Sequence, residues 1–309
     1  MGTPDFAVPS LKALLESGAN VVCVITQPDR PKGRGRKITP PPVKKIALQA
    51  DIPVLQPEKI RDGGFLARLT EFNPDLIVLT AYGRILPAEL IDLPPHGTIN
   101  VHASLLPKYR GAAPIQWALI NGETETGVTI MQMDEGLDTG DILLAEKLPI
   151  SPDDTAGSLF MKLAELGGTA LKKTLVQLKV NKLTPTKQDD SLATHAPLLK
   201  KEDGLVDWSR SAEQISCLIR GLDPWPTTYT FLSGKRFRLF SPQVVDPTDY
   251  QDKGSAPGAV CRADHDGLLV KTGKGSLLIR EVQPEGSKRM NVAAFLRGHP
   301  IKPGTRLGL

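Results

Sequence analysis

The sequence predicts an α/β doubly wound, Rossmann-like domain followed by a small OB-like β-barrel domain. Three observations predict this. Over the first half, short and almost wholly apolar runs alternate with proline-started amphipathic stretches, the pattern of parallel strands covered on both faces by helices. A polar, irregular stretch at 181–200 then ends the alternation. Beyond it, strand-length segments follow one another closely and are split by turn residues. The domains are therefore expected at 1–180 and 201–309, joined by a linker at 181–200. A chain of 309 residues is long enough for two cores.

In chain order, Pro9–Ser17 reads as a helix with proline at its start and Gly18 as its stop. Val21–Ile25 reads as a buried strand, Pro42–Ala50 as a second proline-started helix, and Pro53–Leu55 as a short strand. Phe65–Phe72 is a helix that ends before Asn73-Pro74, and Leu76–Thr80 and Thr98–His102 are strands. Pro114–Asn121 is a helix closed by Gly122, and Val128–Met133 and Ile142–Lys147 are strands on either side of a loop. After the linker comes one helix, Ala212–Arg220, with Ile215, Leu218 and Ile219 on one face. The remaining strands are Thr227–Leu232, Phe237–Phe240, Gly258–Arg262, Gly267–Lys271 and Ser276–Val282. A doubly wound domain opens with a strand feeding its first glycine turn, and Met1-Gly2-Thr3-Pro4 is already that turn. Loss of a central strand would leave buried backbone groups unpaired at about 1–3 kcal/mol each. The natural chain is therefore expected to carry about five to ten strand-like residues before Met1.

Composition narrows the function classes. A net charge of +4 is too small for a dedicated nucleic-acid binder but suits an acidic substrate if the basic residues cluster. Cys23, Cys217 and Cys261 are an odd, scattered set with no C-x-x-C, which fits neither a disulfide framework nor a zinc site and suits a reducing cytosol. His96, His195, His265 and His299 form no metal-ligand spacing, so no metal is expected. No apolar run is long enough to span a membrane.

The chemistry gathers in two stretches, Asn100–Gly111 and Leu137–Asp141. Asn100 and His102 are two apart at the end of a strand and so share a face. An amide donor beside an imidazole can handle charge that develops on an oxygen, and a carboxylate at Asp138 would orient or charge the imidazole. In acyl transfer to an amine the substrate supplies the nucleophile, so none is needed from the protein. An Asn-x-His pair can equally cap a loop. Ser104 has no Gly-x-Ser-x-Gly elbow around it, and Gly33 and Gly35 lack the third glycine and helix of a dinucleotide site. Arg30–Lys45 contains seven basic residues and no acid, a candidate phosphate-tracking loop or merely a solvated one.

The run Asn-x-His-x-Ser-Leu-Leu-Pro at 100–107, Tyr-Arg-Gly at 109–111 and Leu-Asp-Thr-Gly-Asp at 137–141 resembles the folate-dependent formyltransferases. Gly2–Phe6, Thr26–Pro31, Ala81–Pro87, Gly111–Gln116 and Glu125–Met133 narrow the resemblance to those that act on methionyl-tRNA. It runs through the whole chain and is looser after the linker. The resemblance implies transfer of a formyl group from 10-formyltetrahydrofolate to the amino group of initiator methionyl-tRNA, for translation initiation. It implies catalysis by Asn100, His102 and Asp138, and folate contacts from Ser104, Leu105, Leu106 and Pro107 and from Tyr82, Gly83, Ile85 and Leu86. It also implies tRNA contacts from Arg34, Arg36 and Lys37, with Lys235 and Arg236 of the barrel hairpin extending the basic track. A monomeric, cytoplasmic enzyme of bacterial type is expected. The competing readings are a formyltransferase for glycinamide ribonucleotide or a nucleotide sugar, and a catalytically silent RNA-binding protein.

Overall fold

The computed structural model describes residues 1–32, 35, 37–245 and 255–308. They form two compact units, one of Met1–Pro114, Glu125–Pro149 and Phe160–Ala196, the other of Ile115–Thr124, Ile150–Leu159 and Pro197–Leu309. Arg34 and Arg36, named above as candidate tRNA contacts, lie outside the described residues.

The elements up to residue 180 run α1 (Val8–Glu16), β1 (Val24–Ile25), β2 (Arg30–Lys32), β3 (Lys37–Thr39), α2 (Pro42–Gln49), β4 (Val54–Leu55), α3 (Gly63–Glu71) and β5 (Ile77–Leu79). They continue α4 (Ala88–Ile91), β6 (Thr98–His102), α5 (Pro114–Ile120), β7 (Glu125–Gln132), β8 (Ile142–Pro149) and α6 (Ala156–Lys179). Helix ends follow local chemistry. Proline occupies the first turn of α1 and α2, and the Asp62 carboxylate accepts from Gly64 N at 3.1 Å to cap α3. Three features lie beyond the sequence reading: the β2–β3 hairpin inside the basic stretch, the short helix α4, and α6.

Strands β5 and β6 are parallel, while β7 and β8 continue the sheet antiparallel. The loop 133–141 between β7 and β8 is shorter than the dozen or so residues that a parallel crossover needs. Strands β1 and β4 form a separate parallel pair. Among the described residues, Met1 and Gly2 lie between the two sets: Gly2 N donates to Ile25 O at 3.0 Å, Thr80 N donates to Met1 O at 2.9 Å, and the Met1 amino group donates to Val78 O at 2.6 Å. Beyond Met1, a cavity of about 670 Å³ is lined by residues 21–25 on one side and 75–78 on the other.

The stretch 181–200 has no helix longer than a single 3-10 turn and no strand, but its first part is tied down. Thr186 exchanges both backbone hydrogen bonds with Ile142 (2.8 and 2.9 Å), and Arg110 bonds Thr194 and Ala196 through its own N and O.

In the second unit, α7 (Ala212–Leu222) begins with a capping box of Ser211 and Gln214. There follow β9 (Thr228–Leu232), β10 (Lys235–Val245), β11 (Val260–Ala263), β12 (Leu268–Lys271), β13 (Ser276–Pro284), β14 (Met290–Asn291) and α8 (Val292–Leu296). The antiparallel sheet has the order β11-β12-β13-β10-β9, with β14 on β13. Its edges β9 and β11 do not pair with each other among the described residues, and the sheet is compatible with the expected OB-like domain. Ile215 and Ile219 of α7 and Phe295 of α8 pack with Leu239, Leu268 and Ile279 into the core. Trp208 joins that core and donates to Thr230 Oγ1 at 3.1 Å, whereas Trp225 is half exposed.

Candidate active site

Strand β6 is buried along its whole length. Alternation sends Ile99 and Val101 to one face and Asn100 and His102 to the other. The Val101 face meets α6, where Gly167 approaches Val101 so closely that an added Cβ would sit 2.9 Å from Val101 Cγ1. Asn100 and His102 are thus held on the opposite face, at the carboxyl end of a parallel strand, where ligands enter open α/β sheets. Among the described residues the Asn100 amide makes no hydrogen bond, so its donors stand ready.

The His102 ring lies between two oxygens. Nε2 is 3.0 Å from Tyr109 O, and Nδ1 is 3.6 Å from Asp138 Oδ1. The first is a hydrogen bond; the second is an ion-pair distance, too long for one. A carbonyl only accepts, so the bond to Tyr109 O puts a proton on Nε2 and turns Nδ1 toward the carboxylate. The other Asp138 oxygen, Oδ2, accepts from Gly111 N at 2.9 Å. Asp138 has φ +55°, and its carboxyl side chain is 13% exposed. The structure therefore brings His102 and Asp138 together as the sequence predicts. It also places a carbonyl, Tyr109 O, on the ring nitrogen opposite the carboxylate.

Ser104 is fully buried and donates to Lys108 O at 2.7 Å, closing the turn that carries Leu105, Leu106 and Pro107. Thr129 of β7 ties that turn to the sheet, accepting from Leu106 N at 3.1 Å and donating to Ser104 O at 2.7 Å. The second candidate folate group divides between two cavities. Tyr82 and Gly83 line one of about 580 Å³ together with Thr3, Arg30 and Pro42. Ile85 and Leu86 line another of about 500 Å³ with Ile60 and Leu66. Neither cavity is lined by Asn100, His102 or Asp138. Ile85 is 78% exposed, while Tyr82 is buried with its hydroxyl unpartnered.

Of the candidate tRNA contacts, Lys37 is exposed on β3 and Lys235 is exposed on the β9–β10 turn side of β10. The Arg236 guanidinium stacks 4.0 Å above the Tyr229 ring. Lys44, counted among the basic residues, is instead held by Asp29 at 2.8 Å and Gln56 at 2.6 Å. Asp264, His265 and Asp266 bring possible ligand atoms within 4.8 Å of one another on a mostly exposed turn. Such groups are common without an ion.

Two residues that the sequence reading did not assign support this site. Arg110, in the Tyr-Arg-Gly string, is buried, and Gln188 lies in the expected linker; the two bond each other, and Gln188 bonds the Asp138 loop. A lone glutamine in a polar stretch carries no pattern to mark it.

Comparison with known proteins gives the family. The family model described as formyl transferase matches residues 1–175, and that described as formyl transferase, C-terminal domain, matches residues 198–300. A methionyl-tRNA formyltransferase of Desulfotalea psychrophila is 60% identical over 307 residues, covering 99% of this chain and 94% of that protein. One of Geobacter sulfurreducens is 54% identical, covering 100% of this chain and 95% of that protein. Among solved structures, the sugar 3N-formyl transferase WlaRD, crystallised with dTDP and 5-N-formyl-THF, aligns with a TM-score of 0.66 at 19% identity. It covers 93% of this chain and 97% of its own, and at that identity it speaks to the fold alone. With two family domains matched in order and relatives this similar over its full length, the chain belongs to the formyl transferase family, among its methionyl-tRNA formyltransferases.

Proposed function

We propose that the chain moves the formyl group of 10-formyltetrahydrofolate to the α-amino group of initiator methionyl-tRNA, with Asn100, His102 and Asp138 as its catalytic residues. The observation that carries the assignment of these residues is the His102 ring, set between Tyr109 O and the Asp138 carboxylate on the same strand face as the unengaged Asn100 amide. The amine lone pair attacks the formyl carbon, and the carbonyl electron pair moves onto the formyl oxygen. Asn100 donates to that oxygen. The charged His102 ring gives up Tyr109 O and turns the same N–H toward it, while Asp138 holds the positive charge in place. As the oxygen's electron pair returns, the bond from the formyl carbon to the folate nitrogen breaks. The proton lost by the amine passes to the Asp138 carboxylate, and the folate nitrogen takes up a proton from water.

The folate lies against Ser104–Pro107 and Tyr82, Gly83, Ile85 and Leu86 in this proposal. The exposed Ile85 and the half-buried Leu105 and Pro107 offer apolar surface suited to a flat ring system. Residues 1–180 serve as the catalytic domain and 201–309 as a tRNA-holding domain, with Arg34, Arg36, Lys37, Lys235 and Arg236 along the phosphates. No step requires a metal. We place the protein in the cytoplasm as a monomer; no helix among the described residues is long and apolar enough to cross a membrane.

His102→Ala and Asp138→Asn are each expected to lower turnover by about a hundredfold or more. The assay supplies labelled 10-formyltetrahydrofolate with charged initiator tRNA in one arm and glycinamide ribonucleotide in another. Label on the tRNA alone supports the proposal. Label on the ribonucleotide, or near-normal turnover in either variant, overturns it.

A further inference from the structure

Asp138 holds a left-handed backbone conformation, φ +55°, uncommon outside glycine though aspartate is among the more tolerant residues, and its surroundings help to hold it there. Those surroundings are specific. Gln188 Nε2 donates to Asp138 O at 2.9 Å and to Gly140 O at 2.7 Å. Its Oε1 accepts from Arg110 Nε at 3.1 Å and from Arg110 Nη2 at 2.8 Å. Every one of these partners has a fixed role: a guanidinium only donates and a carbonyl only accepts. The Gln188 amide therefore has one permitted orientation, since turning it over would set donor against donor and acceptor against acceptor. Arg110 is 5% exposed, and Asp190 balances its charge at 2.7 Å from Nη2.

Arg110 also sits between the two backbone groups that touch the catalytic pair. Tyr109 O, just before it, receives His102 Nε2; Gly111 N–H, just after it, donates to Asp138 Oδ2. One side chain, Gln188, thus ties the residue between those two contacts to the backbone of the Asp138 loop. The rest of the segment reinforces the tie, because Arg110 N donates to Thr194 O at 2.9 Å and Ala196 N donates to Arg110 O at 2.7 Å.

We propose that Gln188 and Arg110 are positioning residues for formyl transfer: they fix the Asp138 loop against the Tyr109–Gly111 backbone and so set the distance between His102 and the Asp138 carboxylate. The proposal rests on the catalytic reading of Asp138 given above. Gln188→Glu separates it from a merely structural role. The glutamate matches glutamine in length and can still accept from Arg110, but it has no N–H for Asp138 O or Gly140 O and puts negative charge beside both carbonyls.

The test measures kcat and KM for both substrates, the pH profile of kcat and the melting temperature, for the full chain and for Gln188→Glu, Asp138→Asn and the double variant. Gln188→Glu is expected to lower kcat by about tenfold to a hundredfold and to shift the pH profile. KM values should stay within about twofold, because no substrate contact is lost. In the Asp138→Asn background the same substitution should cost little more, since the two act through one group. If Gln188→Glu does not fold, Gln188→Met, which removes the donors without adding charge, carries the same test. Normal kcat and an unchanged pH profile, with or without a lower melting temperature, would overturn the inference, as would full additivity in the double variant. If Asp138→Asn itself retains activity, the catalytic reading fails and this inference fails with it. Loss in Asp138→Asn alone removes only the inference.

Discussion

Lys44 and Lys37 belong to the same basic stretch, yet they hold their charge differently. Lys44 Nζ donates to both Asp29 oxygens, at 3.0 and 2.8 Å, and to Gln56 at 2.6 Å. The Asp29 carboxyl is held below its ordinary range, first by the Lys44 hydrogen bond and then by that of Gln56. Lys37 is exposed and has no ion pair among the described residues. A cation that releases counterions on meeting a phosphate steepens the salt dependence of binding; one already paired within the protein does not. Lys37→Ala should therefore reduce the slope of log Kd against log salt for tRNA by about 0.7 to 0.9, and Lys44→Ala should leave it unchanged. Equal slopes in both variants would contradict the distinction. This difference is hidden in the sequence because Asp29 lies one residue before the stretch and Gln56 lies well after it. Asn100, His102 and Asp138, by contrast, are legible because each stands in a string with a chemical rationale. Gln188 is not, since only the fold shows which carbonyls its amide meets.

Among the elements, α6 escaped the sequence reading, and Gly167-Gly168 in its middle gives the physical reason. Paired glycines weaken a helical pattern, but here they let the helix lie close to its neighbours. A Cβ on Gly167 would sit 2.9 Å from Val101 Cγ1, and one on Gly168 would sit 3.0 Å from Pro9 O. Val101 lies between Asn100 and His102 on β6. Gly167→Ala is expected to destabilise the protein by about 1–3 kcal/mol through overpacking and to lower activity by disturbing β6. Denaturant unfolding with a parallel activity assay checks both, and a more stable variant would refute this account of the glycine. Strands β5 and β6 are read correctly from their apolar runs. The reversal of direction at β7 and β8 is not visible in those runs, because composition does not report the sense of a strand. The β2–β3 hairpin is likewise masked by its charge, since Arg30–Lys32 and Lys37–Thr39 resemble solvated loop more than strand.

Across the whole molecule, the compact units are not contiguous in sequence: Ile115–Thr124 and Ile150–Leu159 group with the carboxy-terminal residues. A polar stretch in a sequence marks where the composition changes; it does not mark which distant segments pack together. The stretch 181–196 shows the point: Thr186 pairs with Ile142, and Arg110 pairs with Thr194 and Ala196, so these residues act as a strap that closes the first unit on itself.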